Sequence, residues 1–145
     1  MRPNGGMTDS RNTAIALITR YYAAFNTGDS DAMIACLTDD IVHDVNQGGR
    51  RRGRATFRQF LDHMNRCYAE QIHDLVVMAS DDGTRAAAEF TVSGAYKATD
   101  EGLPEARGQT YGLPGGAFFE IEGRLISRVT TYYNLKDWIA QVEGR

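Results

Sequence analysis

The sequence predicts an α+β domain in which an antiparallel sheet packs one face against a set of helices. Three observations predict it. Apolar residues recur at helical spacing up to residue 68, the period then changes to long β-rich runs, and short turn-forming clusters that fit hairpins separate those runs. With 145 residues and 42 % hydrophobic content, the chain fits one domain around a single core.

Residues 1–11 are polar and read as a flexible N-terminal extension with no role in the fold, so the domain is expected over residues 12–145. Ala14, Leu17, Ile18, Tyr21, Tyr22 and Phe25 follow the spacing of an amphipathic helix, and Gly28 is its expected stop. Asp29 or Ser30 can cap a second, brief helix running through Leu37, with Met33, Cys36 and Leu37 inward. Residues 41–46 read as a strand, and Gln47, Gly48 and Gly49 as a turn. A third helix carries Phe57, Phe60, Leu61, Met64 and Tyr68 on one face. Four β-rich runs follow, over residues 72–79, 84–99, 108–122 and 124–134, and a short helix over 136–142 returns Trp138, Ile139 and Val142 to the body.

Composition narrows the function classes. A net charge of −3 argues against nucleic acid as a partner, although Arg50, Arg51, Arg52 and Arg54 form a local basic patch. That patch reads as a solvated loop, or as an attractor for an acidic substrate tail. No hydrophobic run fits a signal peptide or membrane span, which leads to a cytoplasmic expectation. Cys36 and Cys67 fall at apolar helical positions and read as buried thiols in a reducing compartment.

The chemically informative segment is residues 39–53. It places His43, Asp44 and Asn46 on one short, apolar-framed strand, where each polar group must find a partner or shift its pKa. His43 and Asp44 alternate, so a regular strand sends them to opposite faces unless a bulge intervenes. Asp44 is a general-base candidate, or else a strand-end carboxylate bonded to the glycine turn or to one of the following arginines. If it points outward, His43 becomes the better acid or base. Tyr21 could polarise a carbonyl or simply belong to the core. Glu89 and Thr91 share a polar row opposite Phe90 and Val92. Asn46, Thr131, Tyr132 and Asn134 are candidate hydrogen bonders at a pocket mouth. His63 and Cys67 stand one helical turn apart, a spacing that suits a metal, but without a third ligand no metal is predicted.

Four stretches carry a family resemblance: Tyr21-Tyr22-Ala23-Ala24-Phe25-Asn26-Thr27-Gly28-Asp29, Asp39-Asp40-Ile41-Val42, Gly53-Arg54, and Ala117-Phe118-Phe119-Glu120-Ile121-Glu122-Gly123-Arg124-Leu125-Ile126. Together they resemble the nuclear transport factor 2-like superfamily, and within it the ketosteroid isomerase-related, SnoaL-like proteins, over about residues 12–142. The resemblance implies a curved sheet wrapped around three helices into a cone with a deep apolar cavity, and a homodimer formed through the outer sheet face.

Because this fold hosts isomerases, epoxide hydrolases, cyclases, dehydratases and binding modules, roles transfer only residue by residue. Tyr21 falls where steroid isomerases keep the tyrosine that donates to the enolate oxygen. Asp44 aligns with their proton-shuttling aspartate counting back from Gly53, whereas counting forward from Asp40 puts Val45 there. Their second oxyanion donor would fall near Ala117 and is missing. The arginine and two aspartates of limonene-type epoxide hydrolases would fall on Glu89, Thr91 and Thr131, so that set is absent; the same match turns the Glu89 row inward.

The expectation is a homodimer binding a small apolar, carbonyl-bearing molecule, with cofactor-free proton transfer such as double-bond isomerisation. Asp44 or His43 takes the proton, Tyr21 holds the oxyanion, and Asn46 and Glu89 orient the ligand. A non-catalytic ligand-binding or regulatory dimer is the first alternative. A SnoaL-like cyclase or hydratase, in which Glu89 is essential, is the second.

Overall fold

The computed structural model describes residues 3–45 and 48–144, with side chains from residue 9 onward. The elements run α1 (Pro3–Thr27), α2 (Ser30–Ala35), β1 (Leu37–Asp44), β2 (Arg50–Arg52), α3 (Arg54–Cys67), β3 (Tyr68–Ala79), β4 (Arg85–Tyr96), β5 (Thr110–Glu122), β6 (Leu125–Tyr133) and α4 (Leu135–Glu143).

Helix α1 buries Ala14, Leu17, Ile18, Tyr21 and Tyr22, the predicted stripe, and each fully buried leucine or isoleucine contributes about 1.5–3 kcal/mol of transfer free energy. It begins at Pro3, so residues 3–11, expected as a flexible extension, are helical. Arg11 pairs with Asp81 in the β3–β4 turn. The helix ends as predicted. Gly28, at φ 72°, donates to Phe25 O and Asp29 N donates to Ala24 O, the paired bonds of a left-handed stop that glycine adopts without steric penalty. Asp29 then caps α2 by accepting from Ala32 N at 3.0 Å. Leu37, expected at the end of this helix, instead begins β1.

The six strands are ordered β2-β1-β6-β5-β4-β3 and do not close into a barrel. β3 to β6 form the predicted antiparallel meander. One pairing departs from an all-antiparallel sheet: β1 lies parallel to β6, with His43 opposite Val129 and Asp44 opposite Thr130. The meander leaves one side of β6 without a partner, and β1 fills it. Where a loop was expected, Arg50, Arg51 and Arg52 form the edge strand β2, antiparallel to β1.

The opposite edge, β3, is covered by the end of α1. Asn26 donates from its side chain to Ile72 O (3.0 Å) and accepts from Ile72 N (2.8 Å), while Gln71 donates to Asn26 O (2.9 Å). A register shift between His73 and Val76, with Asp74 at φ 55°, bends this strand.

Helices α1 to α3 pack on the inner face of the sheet around Tyr21, Tyr22, Phe57, Phe90 and Phe119. A second cluster, Cys67, Tyr68, Tyr96, Tyr111, Leu113, Trp138 and Val142, fills the far end beneath α4. Both cysteines are free and buried, as expected. Among the described residues, no helix is long and apolar enough to cross a membrane.

Candidate functional site

Strand β1 separates the two leading candidates. His43 points inward and is buried, its ring 4.9 Å from that of Phe57 and 4.5 Å from that of Phe60, centroid to centroid. Its Nδ1 has no hydrogen-bond partner among the described residues. Burial first, then the neighbouring Arg51 charge, pull its pKa down to about 4 against the opposing pull of Asp44, so the ring is neutral at pH 7.

Asp44 points to the outer face. Arg50 donates to both of its oxygens, Nε at 2.7 Å and Nη2 at 3.0 Å, and Thr130 Oγ1 donates at 2.8 Å. Both partners sit directly opposite Asp44 on the flanking strands. Arg128 extends the network, donating to Thr130 Oγ1 (2.6 Å) and to Glu120 (2.5 Å). The Arg50 hydrogen bond first, with Thr130 and the arginine charges, holds the Asp44 carboxyl down at about 2 although desolvation opposes it. A carboxylate held this strongly is a poor proton acceptor near neutrality. Of the two readings of Asp44, the arginine partner is the one observed.

The polar row of β4 also faces outward. Glu89 is exposed between buried Ala88 and Phe90, in register with Val76 and Gly116, and half-buried Thr91 shares its side. The expectation that this row lines the cavity is therefore corrected: the inner face belongs to the apolar alternates, which the helices cover. Tyr132 is 53 % exposed and packs edge-on against Phe118, also outside. Asn134 is no pocket hydrogen bonder but the cap of α4, accepting from Asp137 N at 3.1 Å. Thr131 alone of that group lies on the inner side, half-buried opposite Ala117. Asn46 lies outside the described residues. Tyr21 is core, edge-on to Tyr22 (5.1 Å) and Phe119 (6.0 Å), and burial pushes its hydroxyl well above the usual phenol range.

The hollow implied by the family resemblance is displaced from these residues. The interior between α1 and the middle of the sheet is filled by Tyr22, Phe90 and Phe119. A cavity of about 510 Å³ opens instead where the ends of α1, α2 and α3 meet the start of β3, with Phe25, Met33, Phe60, Leu61, Met64 and Tyr68 as its apolar wall and Asn26, Asn65, Glu70, Gln71 and Lys97 as its polar groups.

Glu70 is the acid of that wall. Glu70, Gly94 and Tyr111 stand in register across β3, β4 and β5. A Cβ on Gly94 would lie 2.6 Å from Tyr111 Oη and 2.8 Å from Glu70 Cγ, so only glycine leaves room for the two side chains to meet. Tyr111 Oη donates to Glu70 Oε2 at 2.6 Å. Burial raises the Glu70 carboxyl above its ordinary range although the tyrosine bond opposes this, and burial, then Glu70, push the Tyr111 hydroxyl up. The Tyr133 hydroxyl is also pushed up, by burial and then by Glu70 and Asp100.

Neither Glu70 nor Tyr111 stood out in the sequence. The alternation of Tyr68, Glu70 and Ile72 carried the signal, but Tyr68 also completes the helical stripe of α3, which placed the strand start at residue 72.

A SnoaL-like domain model matches residues 18–129. Among solved structures, a proposed polyketide cyclase from Xanthomonas campestris is 58 % identical with TM-score 0.89, covering 92 % of this chain and 98 % of its own. One from Pseudomonas putida is 59 % identical with TM-score 0.88, covering 89 % and 97 %. An M. tuberculosis LEH-like epoxide hydrolase, at 19 % identity and TM-score 0.68 over 92 % and 91 %, shares the fold alone. None of the curated proteins gives a significant match.

Proposed function

Because the chain belongs to the SnoaL-like domain family, we propose that it is a cofactor-free acid–base enzyme that closes a ring on a small, apolar polycarbonyl compound. The proposal rests on one observation: Glu70, a carboxyl whose pKa is raised by burial, stands in the wall of an apolar cavity with the Tyr111 hydroxyl on one of its oxygens. The ionised fraction of Glu70 takes a proton from a carbon flanked by carbonyls. The resulting enolate attacks a second carbonyl, forming the C–C bond, and the same proton passes from Glu70 to the new alkoxide oxygen. Atoms balance without a redox partner. Tyr111, donating to Glu70, keeps the accepting oxygen oriented. The solved relatives proposed as polyketide cyclases favour this class. It replaces Glu89 with Glu70 in the cyclase alternative.

Double-bond isomerisation of the steroid type has less support. Asp44 is ion-paired on the outer face, and buried Ala117 stands where the second oxyanion donor would be.

The test is proton exchange at the activated carbon of a simple 1,3-diketone and ring closure of a short poly-β-ketone ester, followed by NMR. Glu70→Gln is expected to lower both rates by about 10²–10⁴-fold. Equal rates in wild type and Glu70→Gln, or diketone binding with no exchange above buffer, would remove the enzyme and leave a ligand-binding protein.

The reading includes a homodimer. Val76, Met78, Phe118 and Tyr132 are exposed apolar side chains on the outer sheet face, and their burial against a second copy would be favourable. Two free buried thiols suit a cytoplasmic setting.

A further inference from the structure

His63 and Cys67 sit one turn apart on α3, and the fold brings a third donor to them from the β4–β5 connection. Asp100 Oδ1 lies 2.8 Å from His63 Nε2, Cys67 Sγ lies 4.0 Å from the same nitrogen, and the three donor atoms all fall within 4.8 Å of one another. We propose that His63, Cys67 and Asp100 form a binding site for a zinc-class divalent cation, with a fourth position left to water.

The donor set is the mixture of thiolate, imidazole and carboxylate that such ions take, and three protein ligands with one open position make a tetrahedral centre. Bonds of about 2.0–2.3 Å in that geometry put donors roughly 3.3–3.6 Å apart. Opening the histidine–aspartate pair and closing the histidine–cysteine pair each need a shift of about half an ångström, and the cysteine–aspartate pair, within 4.8 Å, closes by up to about 1.2 Å as the Asp100 loop moves in.

The supports around the donors are already in position. Tyr68 Oη donates to Asp100 Oδ2 at 2.7 Å, leaving Oδ1 for the ion, and Asp100 N donates to Tyr96 Oη at 2.9 Å. Lys97 N and Ala98 N both donate to Cys67 O, at 2.8 and 3.3 Å, and so tie the loop that carries Asp100 to the end of the helix that carries the other two ligands. Cys67 is buried while His63 is half-exposed, which gives the ion a route from solvent through the histidine side.

Binding rearranges protons in a defined way. Arg66 Nη2 lies 3.0 Å from His63 Nδ1, and in the tautomer that accepts this hydrogen bond the ring proton is on Nε2, facing Asp100. The ion takes Nε2, the ring proton moves to Nδ1, the exposed Arg66 side chain turns away, and the thiol proton goes to solvent. A dication between Asp100 and Cys67 is the counter-charge for the carboxylate and for the thiolate formed on binding.

The experiment titrates the chelator-treated full-length protein with Co²⁺ alone and then displaces it with Zn²⁺. One equivalent of Co²⁺ is expected to give a thiolate-to-cobalt charge-transfer band in the near ultraviolet, with visible bands of tetrahedral intensity that Zn²⁺ abolishes. Cys67→Ser should lose the charge-transfer band and Cys36→Ser should keep it. His63→Gln and Asp100→Asn, both at side chains with solvent access, should weaken Co²⁺ affinity at least tenfold while the melting temperature of the metal-free protein stays near wild type. Absence of the band in the wild type, its persistence in Cys67→Ser, or unchanged affinity in His63→Gln and Asp100→Asn would overturn the assignment. None of these readings depends on Glu70 being an acid or base.

Discussion

Tyr111 reaches Glu70 across the bare backbone of Gly94, closing a 2.6 Å hydrogen bond that spans three strands. This relationship puts a protonatable carboxyl at the cavity and makes the middle residue as consequential as the two that meet over it.

Gly94→Ala places a methyl group within 2.6 Å of the tyrosine oxygen and 2.8 Å of Glu70 Cγ. Overpacking of this kind costs about 1–3 kcal/mol. The variant should melt several degrees lower and lose activity in the diketone exchange assay, whereas Ala95→Gly, one residue along, should keep its rate.

The raised Glu70 pKa sets a pH signature. The folded state favours the neutral carboxyl, so the stability associated with this group is complete below its unfolded pKa and is lost as pH rises through the folded value. Glu70→Gln keeps an acceptor for Tyr111 and never ionises. Its melting temperature relative to wild type should therefore climb between pH 4 and pH 8, and a flat difference would count against the buried carboxyl.

Asp44 behaves in the opposite sense. Its pKa is lowered to about 2, so its contribution is present above the unfolded value near 4 and disappears as pH falls toward 2. Asp44→Asn should lower the melting temperature at pH 7 by a few degrees and leave it unchanged near pH 2. Diketone exchange at 25 °C should be unaffected, which separates this aspartate from a proton shuttle.

His43 is lowered to about 4 by burial, and the sign follows: stability is full above the unfolded value near 6.5 and falls as pH drops through 6 toward 4. His43→Phe, between the rings of Phe57 and Phe60, should flatten that acid limb in urea melts at pH 4.5 and 7.

The proposed outer-face pairing predicts that Phe118→Glu or Tyr132→Glu, at side chains 51 % and 53 % exposed, converts a dimer to monomer without lowering the helix content. Sedimentation velocity checks it, and a wild-type monomer would remove the dimer.

Much of the architecture was legible because it rests on local periodicity. The α1 stripe with its Gly28 stop, the meander and α4 all follow from side-chain spacing and turn chemistry. The β1–β6 pair was not, since a parallel contact between residues 44 and 130 leaves no local trace. Strand β2 was hidden because three consecutive arginines show no alternation. At the site, strand alternation correctly sent His43 and Asp44 to opposite faces. For Glu89 the ordinary rule of polar outside and apolar inside holds in β4, and the epoxide hydrolase analogy, which reversed it, misled. Asp100 escaped notice as a partner of His63 because it lies 37 residues away, in a loop.

The grip of Asn26 on Ile72 has a consequence for how copies of this chain can meet. One side-chain amide supplies both the donor and the acceptor that a neighbouring strand would offer, so β3 cannot readily template a further strand at that point. At the other margin, consecutive guanidinium groups repel an incoming copy of themselves. With both margins guarded, growth of the sheet into a ribbon of molecules is discouraged.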